Sequence, residues 1–345
     1  MPLTFDLPGM TDMTITTNQQ VLLASRPQGA VTEDNFRIIE TPLGVPRDGE
    51  VLVGNEWLSL DPYMRGRMSD AKSYVPPAAL GEVMVGQTVG EVIESRDARF
   101  AAGDKVLSSL GWQRYGIAKG GELTKLDATR FPASYYLGIL GMPGMTAWFG
   151  LTEIGRPKPG ETVVVSAASG AVGSVAGQLA RSAGARVVGI AGGPAKCRYV
   201  VEELGFDACV DHRAGRLYED LAAACPGGTD VDFENVGGVV LDTVLRLMNR
   251  HSRIVVCGLI AEYSAGEPYA YTRMRSVLVN RIGMQGMIVY DWKDRYGEAL
   301  ARLQQLLGAG RLKYRESVVE GLENAPKALI GLLRGENFGK QLVKI

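Results

Sequence analysis

The sequence predicts an α/β protein that combines a small β-rich domain with a larger domain built on a parallel sheet. Three observations support this fold class. The first third of the chain favours strands separated by glycine-rich turns, the middle alternates strands with helices, and the chain ends in a β-branched strand. Strand–helix alternation is typical of a parallel sheet covered on both faces. The 345 residues have the length of two ordinary domains.

The N-terminal domain begins after a segment, MPLTFDLPGMTDMT, that has neither a basic start nor an apolar core. It does not predict a signal peptide, and we expect a loose tail. Strands are predicted at 21–25, 36–43, 50–60, 84–95 and 104–110. The many glycines around them favour a small, tightly curved barrel. The stretch LDPYMRGRM (60–68) ends one strand and is either a functional loop or, as its residues alone favour, a surface turn with solvated arginines.

The second domain begins near residue 135, where the pattern becomes helical. A helix, a break and a second helix are predicted over 136–155. Strands then follow at 162–166, 186–190, 208–210, 231–236, 253–257 and 283–290. The terminal QLVKI (341–345) predicts a strand that rejoins the first domain. We therefore predict one domain of residues 15–134, completed by 311–345, and an inserted domain of residues 135–310.

A strand, a tight turn and a helix follow one another in TVVVSAASGAVGS (162–174). Ala167, Gly170 and Gly173 occupy the three positions of the G-x-G-x-x-G dinucleotide-binding fingerprint. Gly170 would let a pyrophosphate approach the backbone, and Gly173 would let the helix pack closely on the strand. The N-terminus of the helix favours phosphate. Alanine in the first position weakens the match, so the pattern needs support from its surroundings.

The end of the next strand indicates which dinucleotide binds. An NAD site places an acidic residue about 20 residues beyond the fingerprint. Here the strand ends in AGGPAKCR, where Gly192 and Gly193 leave room and Lys196 and Arg198 supply positive charge. This favours the 2′-phosphate of NADP(H). The alternative is that Lys196 is simply exposed on a first helical turn, although such turns favour acids.

Charge and cysteine content exclude several function classes. The net charge of −1 gives no reason to expect nucleic acid or an anionic membrane as a partner. No apolar run approaches the ~20 residues of a membrane helix. The four cysteines form no C-x-x-C pair, which favours a reducing, cytoplasmic setting.

The arrangement resembles the medium-chain dehydrogenase/reductase superfamily, and more closely its zinc-independent branch of prostaglandin, alkenal and curcumin reductases. The blocks that carry the resemblance are LDPYMRGRM (60–68), GMPGMTAWFGL (141–151), AASGAVGS (167–174), ENVGG (234–238), CGLIAEY (257–263), MQGMIVYDW (284–292) and ENFGK (336–340). The resemblance implies a GroES-like barrel, an inserted Rossmann domain, NADP(H) as cofactor and a homodimer paired through the strand near 283–290. Zinc-dependent members use Cys and His ligands, but this chain has neither before residue 197, so we expect no metal site.

The resemblance also implies a set of cofactor contacts. Gly170, Ala171, Val172 and Gly173 would meet the pyrophosphate, Lys196 the 2′-phosphate, and His212 the adenosine phosphate, where the family commonly has tyrosine. Asn235 would lie near the cofactor, and Asn337 would hold the nicotinamide ribose or amide. The residues expected around the nicotinamide are Met142, Thr146, Cys257, Gly258, Leu259, Tyr263, Met287, Ile288 and Val289. For Met142 and Met287, plain core packing is the alternative.

The chemistry expected of a zinc-free member is reduction of a conjugated C=C bond. Hydride from NADPH would add to the β-carbon of an α,β-unsaturated ketone or aldehyde, and a hydroxyl donor would stabilise the enolate oxygen. Tyr263 is the main candidate for that donor, and Tyr63 is a second that more naturally lines the substrate; either could instead be a packed aromatic. The competing hypotheses are a zinc-free carbonyl or quinone reductase and a cofactor-binding protein with little turnover.

Overall fold

The computed structural model describes residues 16–345, so the expected N-terminal tail lies outside the described residues. The chain divides into two compact units. Among the described residues, the first unit comprises 16–137 together with Val318–Ile330 and Leu342–Ile345. The second comprises Gly138–Ser317 and Gly331–Gln341. The C-terminal segment, which the sequence-based division gave entirely to the first domain, is thus shared between the two units.

The first unit is built on antiparallel strands. They are β1 (Thr17–Leu23), β2 (Phe36–Pro42), β3 (Glu50–Ser59), β4 (Thr88–Ser95), β5 (Lys105–Ser108), β6 (Tyr115–Lys119) and β7 (Thr124–Lys125). Strands β1 and β2 form a two-stranded sheet, and β3 pairs with both β4 and β6 in a larger one. Valines that alternate along β3 and its neighbours, such as Val51, Val53 and Val92, are fully or almost fully buried and form the core of this unit.

The stretch LDPYMRGRM contains a short helix, α1 (Tyr63–Arg67), in place of the expected surface turn. Pro62 stands at its N-cap, where its restricted φ suits a helix start. Arg65 is only 7% exposed, and its guanidinium donates a hydrogen bond to the carbonyl oxygen of Gly29 at 2.8 Å. The expectation of solvated arginines is therefore wrong for Arg65, because a backbone carbonyl replaces water as its partner.

The second unit contains the predicted parallel sheet. Its strands are β8 (Thr162–Ser166), β9 (Arg186–Ala191), β10 (Ala208–Asp211), β11 (Thr229–Glu234), β12 (Met248–Val256) and β13 (Gly283–Gly286). They pair in the order β10-β9-β8-β11-β12-β13, and every one of these pairings is parallel. The α/β fold class, with a small antiparallel domain and a doubly wound Rossmann-like domain, is confirmed.

The helices of this unit precede, connect or follow its strands. They are α2 (Met142–Phe149), α3 (Gly173–Ser182), α4 (Pro194–Glu202), α5 (Leu217–Ala224), α6 (Gly238–Val244), α7 (Arg275–Asn280) and α8 (Tyr296–Gly308). A 3₁₀ helix at Ala133–Leu137, a turn at 138–141 that contains two glycines, and then α2 match the predicted helix, break and second helix. Helix α2 continues directly into a π-helical segment, Gly150–Gly155. The predicted strand at 283–290 ends at Gly286, and a 3₁₀ segment covers Val289–Arg295.

The C-terminal part adds β14 (Glu316–Glu320), α9 (Ala325–Leu333) and β15 (Lys340–Lys344). Strand β15 pairs antiparallel with β3, with Leu342 opposite Ser59. Leu342 and Val343 are fully buried, and this burial explains why the last strand returns to the first unit. The prediction for the terminal strand is confirmed. Within residues 16–345, no helix has the length and apolar character needed to cross a bilayer.

Candidate active site

The parallel sheet of the second unit has a switch point between its two central strands. The chain proceeds from β8 outward to β9 and β10, then returns to β11 on the other side of β8 and continues to β12. In open parallel sheets, ligands bind beyond the carboxyl ends of the strands at such a point. Ser166 and Glu234 end the two central strands here, so the residues after them define the candidate site.

The turn after β8 has the geometry that the fingerprint predicts. Ala167 adopts φ of +49°, a left-handed conformation that costs a non-glycine residue roughly 1–2 kcal/mol. A Cβ at Gly173 would clash with the carbonyl oxygen of Ala167, so this position accepts only glycine without rearrangement. A Cβ at Gly170 would meet only that same oxygen, at 3.1 Å, which leaves its other side open for a ligand. Ala171 and Val172, both half-buried, complete the turn before α3.

Three basic side chains converge on the loop after β9. A Cβ at Gly192 would lie 2.9 Å from Nε2 of His212 and 2.9 Å from Nε of Arg213. The ammonium of Lys196 donates a hydrogen bond to the carbonyl oxygen of Gly335 at 2.6 Å. Partial burial and the charge of Arg213 lower the pKa of Lys196. Arg198, by contrast, is exposed on α4.

Arg213 is a residue of this cluster that the sequence analysis missed. It follows β10, which lies beside β9 and runs parallel to it, so the residues after both strands meet at one edge of the sheet. Asp211 shapes the loops by accepting hydrogen bonds from the N–H groups of Gly193, at 2.8 Å, and Arg213, at 2.9 Å. The order of the strands, which depends on the tertiary structure, was the missing signal.

The segment ENFGK returns to the fingerprint turn within the second unit. Gly339 forms an isolated parallel bridge with Gly170. The side-chain amide of Asn337 donates a hydrogen bond to the carbonyl oxygen of Gly339 at 2.7 Å. Phe338 anchors the segment by packing edge-on against Tyr199, with ring centroids 4.9 Å apart. The structure therefore brings Asn337 to the same sheet edge as Gly170.

A buried carboxyl group supports the backbone after β11. Oε1 of Glu234 accepts hydrogen bonds from Oγ of Ser166 at 2.5 Å and from the N–H groups of Val236 at 2.5 Å and Gly237 at 3.0 Å. Asn235 donates from its N–H to Ser166 Oγ at 2.7 Å and from its side-chain amide to the Ser166 carbonyl at 2.8 Å. Burial raises the pKa of Glu234 despite these donors. Asn235 is thus fixed to the end of β8.

The segment Cys257–Tyr263 folds over the end of β11. The N–H groups of Cys257 and Gly258 donate to the carbonyl oxygen of Glu234 at 2.9 and 3.1 Å. The hydroxyl oxygen of Tyr263 accepts a hydrogen bond from the N–H of Leu259 at 3.3 Å. Burial raises the pKa of Tyr263 and holds it as a neutral phenol, while the Leu259 N–H opposes that shift. Burial also raises the pKa of the Cys257 thiol to about 12, so this thiol stays protonated.

The remaining predicted site residues fall into three groups. Met142 and Thr146 lie half-buried on α2, and the Thr146 hydroxyl donates to the Met142 carbonyl at 2.8 Å. Met287 is 5% exposed, and its sulfur would lie 2.9 Å from a Cβ at Gly150, which favours the core-packing alternative. Its neighbours Ile288 and Val289 are half-buried and buried. Tyr63 lies half-buried on α1 of the first unit.

Two family models match the chain. One, described as the N-terminal domain of oxidoreductase, matches residues 19–126. The other, described as zinc-binding dehydrogenase, matches residues 171–305. The chain has no Cys or His before residue 197, and residues 16–345 hold no group of three or more His, Cys, Asp or Glu side chains that could bind a metal ion.

Full-length relatives are also similar. The chain is 49% identical over 334 residues to the NADPH-dependent curcumin reductase of Escherichia coli (strain K12), covering 95% of this chain and 97% of that protein. It is 42% identical over 337 residues to the NADP(+)-dependent 2-alkenal reductase of Nicotiana tabacum, with the same coverage of 95% and 97%. The crystal structure of CurA in complex with NADPH from Vibrio vulnificus superimposes with a TM-score of 0.91 at 50% identity, covering 94% of this chain and 98% of that one.

The fold, the fingerprint turn after β8 and the basic side chains around Gly192, together with the relatives, define the class of protein: it is an NADP-dependent oxidoreductase. The open side of Gly170 and the cations around Gly192 fit a phosphorylated dinucleotide. The chain belongs to the medium-chain dehydrogenase/reductase family, in the branch of the curcumin, 2-alkenal and prostaglandin reductases. The resemblance drawn from the sequence is confirmed.

Proposed function

We propose that this protein reduces the C=C bond of α,β-unsaturated ketones or aldehydes at the expense of NADPH. The observation that carries this proposal is the Tyr263 hydroxyl, which is mostly shielded from water and accepts the Leu259 N–H, so that its own proton is available to a substrate oxygen. The activities of similar proteins, a curcumin reductase and a 2-alkenal reductase, support the same substrate class.

The coenzyme is held, in this proposal, by two groups of residues. The turn of Gly170, Ala171, Val172 and Gly173 faces the pyrophosphate, because helix N-termini favour phosphate. Lys196 faces the 2′-phosphate and Arg213 adds positive charge beside it, while the His212 imidazole, whose pKa burial lowers, meets the adenosine phosphate as a neutral ring. Asn235, Asn337 and the segment Cys257–Tyr263 contact the nicotinamide end. Of the residues expected around the ring, Met142 and Thr146 keep that role, whereas Met287 packs in the core and positions Ile288 and Val289.

The chemistry divides between the coenzyme and the protein. NADPH supplies the hydride that adds to the β-carbon of the conjugated system. Tyr263 donates a hydrogen bond to the carbonyl oxygen as negative charge develops there, which stabilises the enolate. A proton from water then reaches the α-carbon and gives the saturated product. A neutral phenol with a raised pKa can donate throughout the physiological pH range. Tyr63 stays a candidate for lining the substrate.

The test is product analysis with a simple enone. Enzyme, NADPH and the enone are mixed, and the product is identified by mass spectrometry and NMR. A saturated ketone is the expected product. An allylic alcohol would identify a carbonyl reductase, and with a quinone substrate a hydroquinone would identify a quinone reductase. Either product without saturated ketone, or tight NADPH binding with no turnover across a panel of enones, would overturn the proposal.

We also propose that the second unit pairs with a second copy of this chain through β13. All four residues of this edge strand are exposed. Large apolar side chains lie exposed along and before it, including Leu278 at 79%, Val279 at 52% and Met284 at 37%. An open strand edge next to exposed apolar residues favours strand addition.

Light scattering on wild type and on the Leu278→Glu and Met284→Lys variants tests this pairing. Wild type is expected to be a dimer and the variants are expected to be monomers. A monomeric wild type would overturn the proposed pairing.

A further inference from the structure

The loop that carries Tyr263 is tied to the start of α6 through side chains outside the set predicted from the sequence. The Tyr271 hydroxyl donates a hydrogen bond to Oε1 of Glu262. The N–H of Gly238 donates to the Tyr271 oxygen at 3.1 Å and to Glu262 Oε1 at 3.3 Å. The Glu262 carboxylate, the Tyr271 phenol and the Gly238 backbone amide therefore meet at one point. Glu262 and Tyr271 belong to the loop that carries Tyr263, whereas Gly238 belongs to α6.

The Glu262 carboxylate occupies space that a side chain at position 237 would fill, so glycine is needed there. A Cβ at Gly237 would lie 2.9 Å from Oε1 of Glu262. Gly237 and Gly238 adopt φ of +75° and +56°, which frees their backbone to turn toward the loop. The glycine pair of the ENVGG block therefore provides the recess into which the Glu262 carboxylate fits.

Backbone bonds carry this anchor to Tyr263. The N–H groups of Ile260 and Ala261 donate to the carbonyl oxygens of Asn235 and Val236 at 3.3 and 2.9 Å. The Tyr263 N–H then donates to the Ile260 carbonyl at 3.4 Å. The chain from residue 259 to residue 263 is thus a tight turn laid on the end of β11, with Glu262 as its side-chain anchor.

The far end of the same loop is fixed to α6 as well. The carboxylate of Asp242 accepts hydrogen bonds from the N–H groups of Thr272 at 2.9 Å and Arg273 at 2.8 Å, and from the Thr272 hydroxyl at 2.6 Å. Tyr271 lies between this anchor and Glu262, and its ring packs edge-on against Tyr269 with centroids 4.9 Å apart. Burial raises the pKa of Tyr271 to about 12, so it stays a donor to Glu262.

We infer that Glu262 and Tyr271 are positioning residues that hold the turn 259–263 against Gly238 and so fix the Tyr263 hydroxyl for catalysis. Neither side chain needs to touch the substrate. Removing the Tyr271 hydroxyl leaves the Glu262 carboxylate with the weaker Gly238 contact alone, and the turn then samples conformations in which Tyr263 no longer meets the Leu259 N–H. This inference rests on the proposed role of Tyr263 for its catalytic part only.

The first measurement is independent of catalysis. Hydrogen exchange is followed in wild type, Tyr271→Phe, Glu262→Ala and Glu262→Gln. We expect the amides of residues 259–263 to exchange about 10-fold faster in Tyr271→Phe and Glu262→Ala, because local opening governs exchange there. Glu262→Gln keeps an acceptor oxygen and is expected to exchange like wild type. Tyr269→Phe is the matched control, since among the described residues that hydroxyl has no hydrogen-bond partner and only its ring contacts Tyr271. Unchanged exchange in both Tyr271→Phe and Glu262→Ala overturns the inference.

The second measurement is a double-mutant cycle on kcat for an enone. Tyr271→Phe alone is expected to lower kcat about 5-fold with little change in KM for NADPH, the size of one lost hydrogen bond. In a Tyr263→Phe background the same change is expected to have no further effect, because coupled residues are non-additive. Independent, multiplying effects overturn the link to Tyr263. Faster exchange combined with a fully active Tyr263→Phe variant instead supports the anchor and rejects the proposed donor role of Tyr263.

Discussion

The two ends of the proposed coenzyme site are built from different chemistry. At the β9–β10 end, Lys196 and Arg213 present positive charge near Gly192, beside the His212 imidazole, whose pKa is lowered by burial and by Arg213. At the β11–β12 end, the side chains are neutral or engaged in hydrogen bonds within the protein, as Tyr263 and Asn235 are. Positively charged side chains suit the recognition of a phosphate group. Fixed neutral hydrogen-bond donors suit a reaction in which negative charge develops on the substrate oxygen only in the transition state. In the proposed function, the first end selects the coenzyme and the second performs the chemistry.

The largest expected effect is at the neutral end. Tyr263→Phe removes the hydroxyl and keeps the ring, so we expect kcat for an enone to fall about 100-fold, the range for one lost donor to a developing oxyanion. The dissociation constant for NADPH, measured by fluorescence titration, is expected to change little. A variant with wild-type kcat would show that another group serves the enolate oxygen.

The charged end is tested by coenzyme preference. Lys196→Ala is expected to raise KM for NADPH about 10- to 100-fold, since a hydrogen bond to a charged group contributes about 1.5–3 kcal/mol. KM for NADH is expected to stay within a few-fold, because NADH lacks the 2′-phosphate. Arg198→Ala is the matched control: it removes the same charge from the exposed side of the same helix. Equal losses for both coenzymes would contradict the assignment.

A smaller effect is expected from crowding the Tyr263 hydroxyl. A Cβ at Gly258 would lie 3.3 Å from the Tyr263 oxygen and 3.3 Å from the Asn235 carbonyl oxygen. Gly258→Ala is therefore expected to displace Tyr263 slightly and to lower kcat about 3- to 10-fold, since catalytic geometry tolerates little misplacement. Gly266→Ala is the control in the same loop, because a Cβ there meets no atom within 4 Å. Equal kcat values for the two variants would contradict this expectation.

The smallest effect concerns stability and compares two carboxyl groups on one strand. Glu234 accepts three hydrogen bonds through Oε1, whereas both oxygens of the fully buried Asp232 have no partner among the described residues. Burial, followed by the proximity of Glu234, raises the pKa of Asp232 well above its ordinary value. The folded protein therefore keeps a proton that the unfolded chain loses, so stability falls as pH rises above about 4.

Asp232→Asn removes this titration. At pH 7 the free energy of unfolding of the variant is expected to exceed that of wild type by roughly 1 kcal/mol or more, which thermal unfolding would show as a higher melting temperature. This difference is expected to shrink as the pH is lowered toward 4. Asp230→Asn, on the same strand, is the contrasting variant. Asp230 accepts hydrogen bonds from the Thr162 N–H and the Asn249 amide, both at 2.8 Å, so its replacement is not expected to stabilise the protein. A pH-independent difference for Asp232→Asn would contradict the buried proton.

Much of the fingerprint turn and of the charged end could be predicted from the sequence, because both are recognised by residue types at short spacing. The spacing of Gly170 and Gly173 and the absence of an acidic residue after β9 are visible in one short stretch. Arg213 was missed because it enters from the neighbouring strand. Arg198 was indicated by its charge; it is exposed and follows Lys196 by two residues on α4, so the two side chains leave the helix on different faces.

The neutral end could be predicted only through family resemblance. Nothing in the spacing of Gly238, Glu262 and Tyr271 indicates that they meet, since 24 residues separate the first two and the contact depends on how the loop folds back. The end of the predicted strand at 283–290 was likewise misplaced. Apolar residues continue through Met287 and Val289, and both are buried, but the strand ends at Gly286 and a 3₁₀ segment begins at Val289.

The sequence by itself determined the alternation of strands and helices, the fingerprint turn and the lack of early Cys and His ligands, because each follows from residue type at short spacing. Only the tertiary structure decided the order of strands in the sheet, the return of residues 331–341 to the second unit, and the meeting of Glu262, Tyr271 and Gly238. The physical reason is that these features arise from burial and hydrogen bonding between distant segments, whose partners are chosen by the whole fold rather than by local propensity.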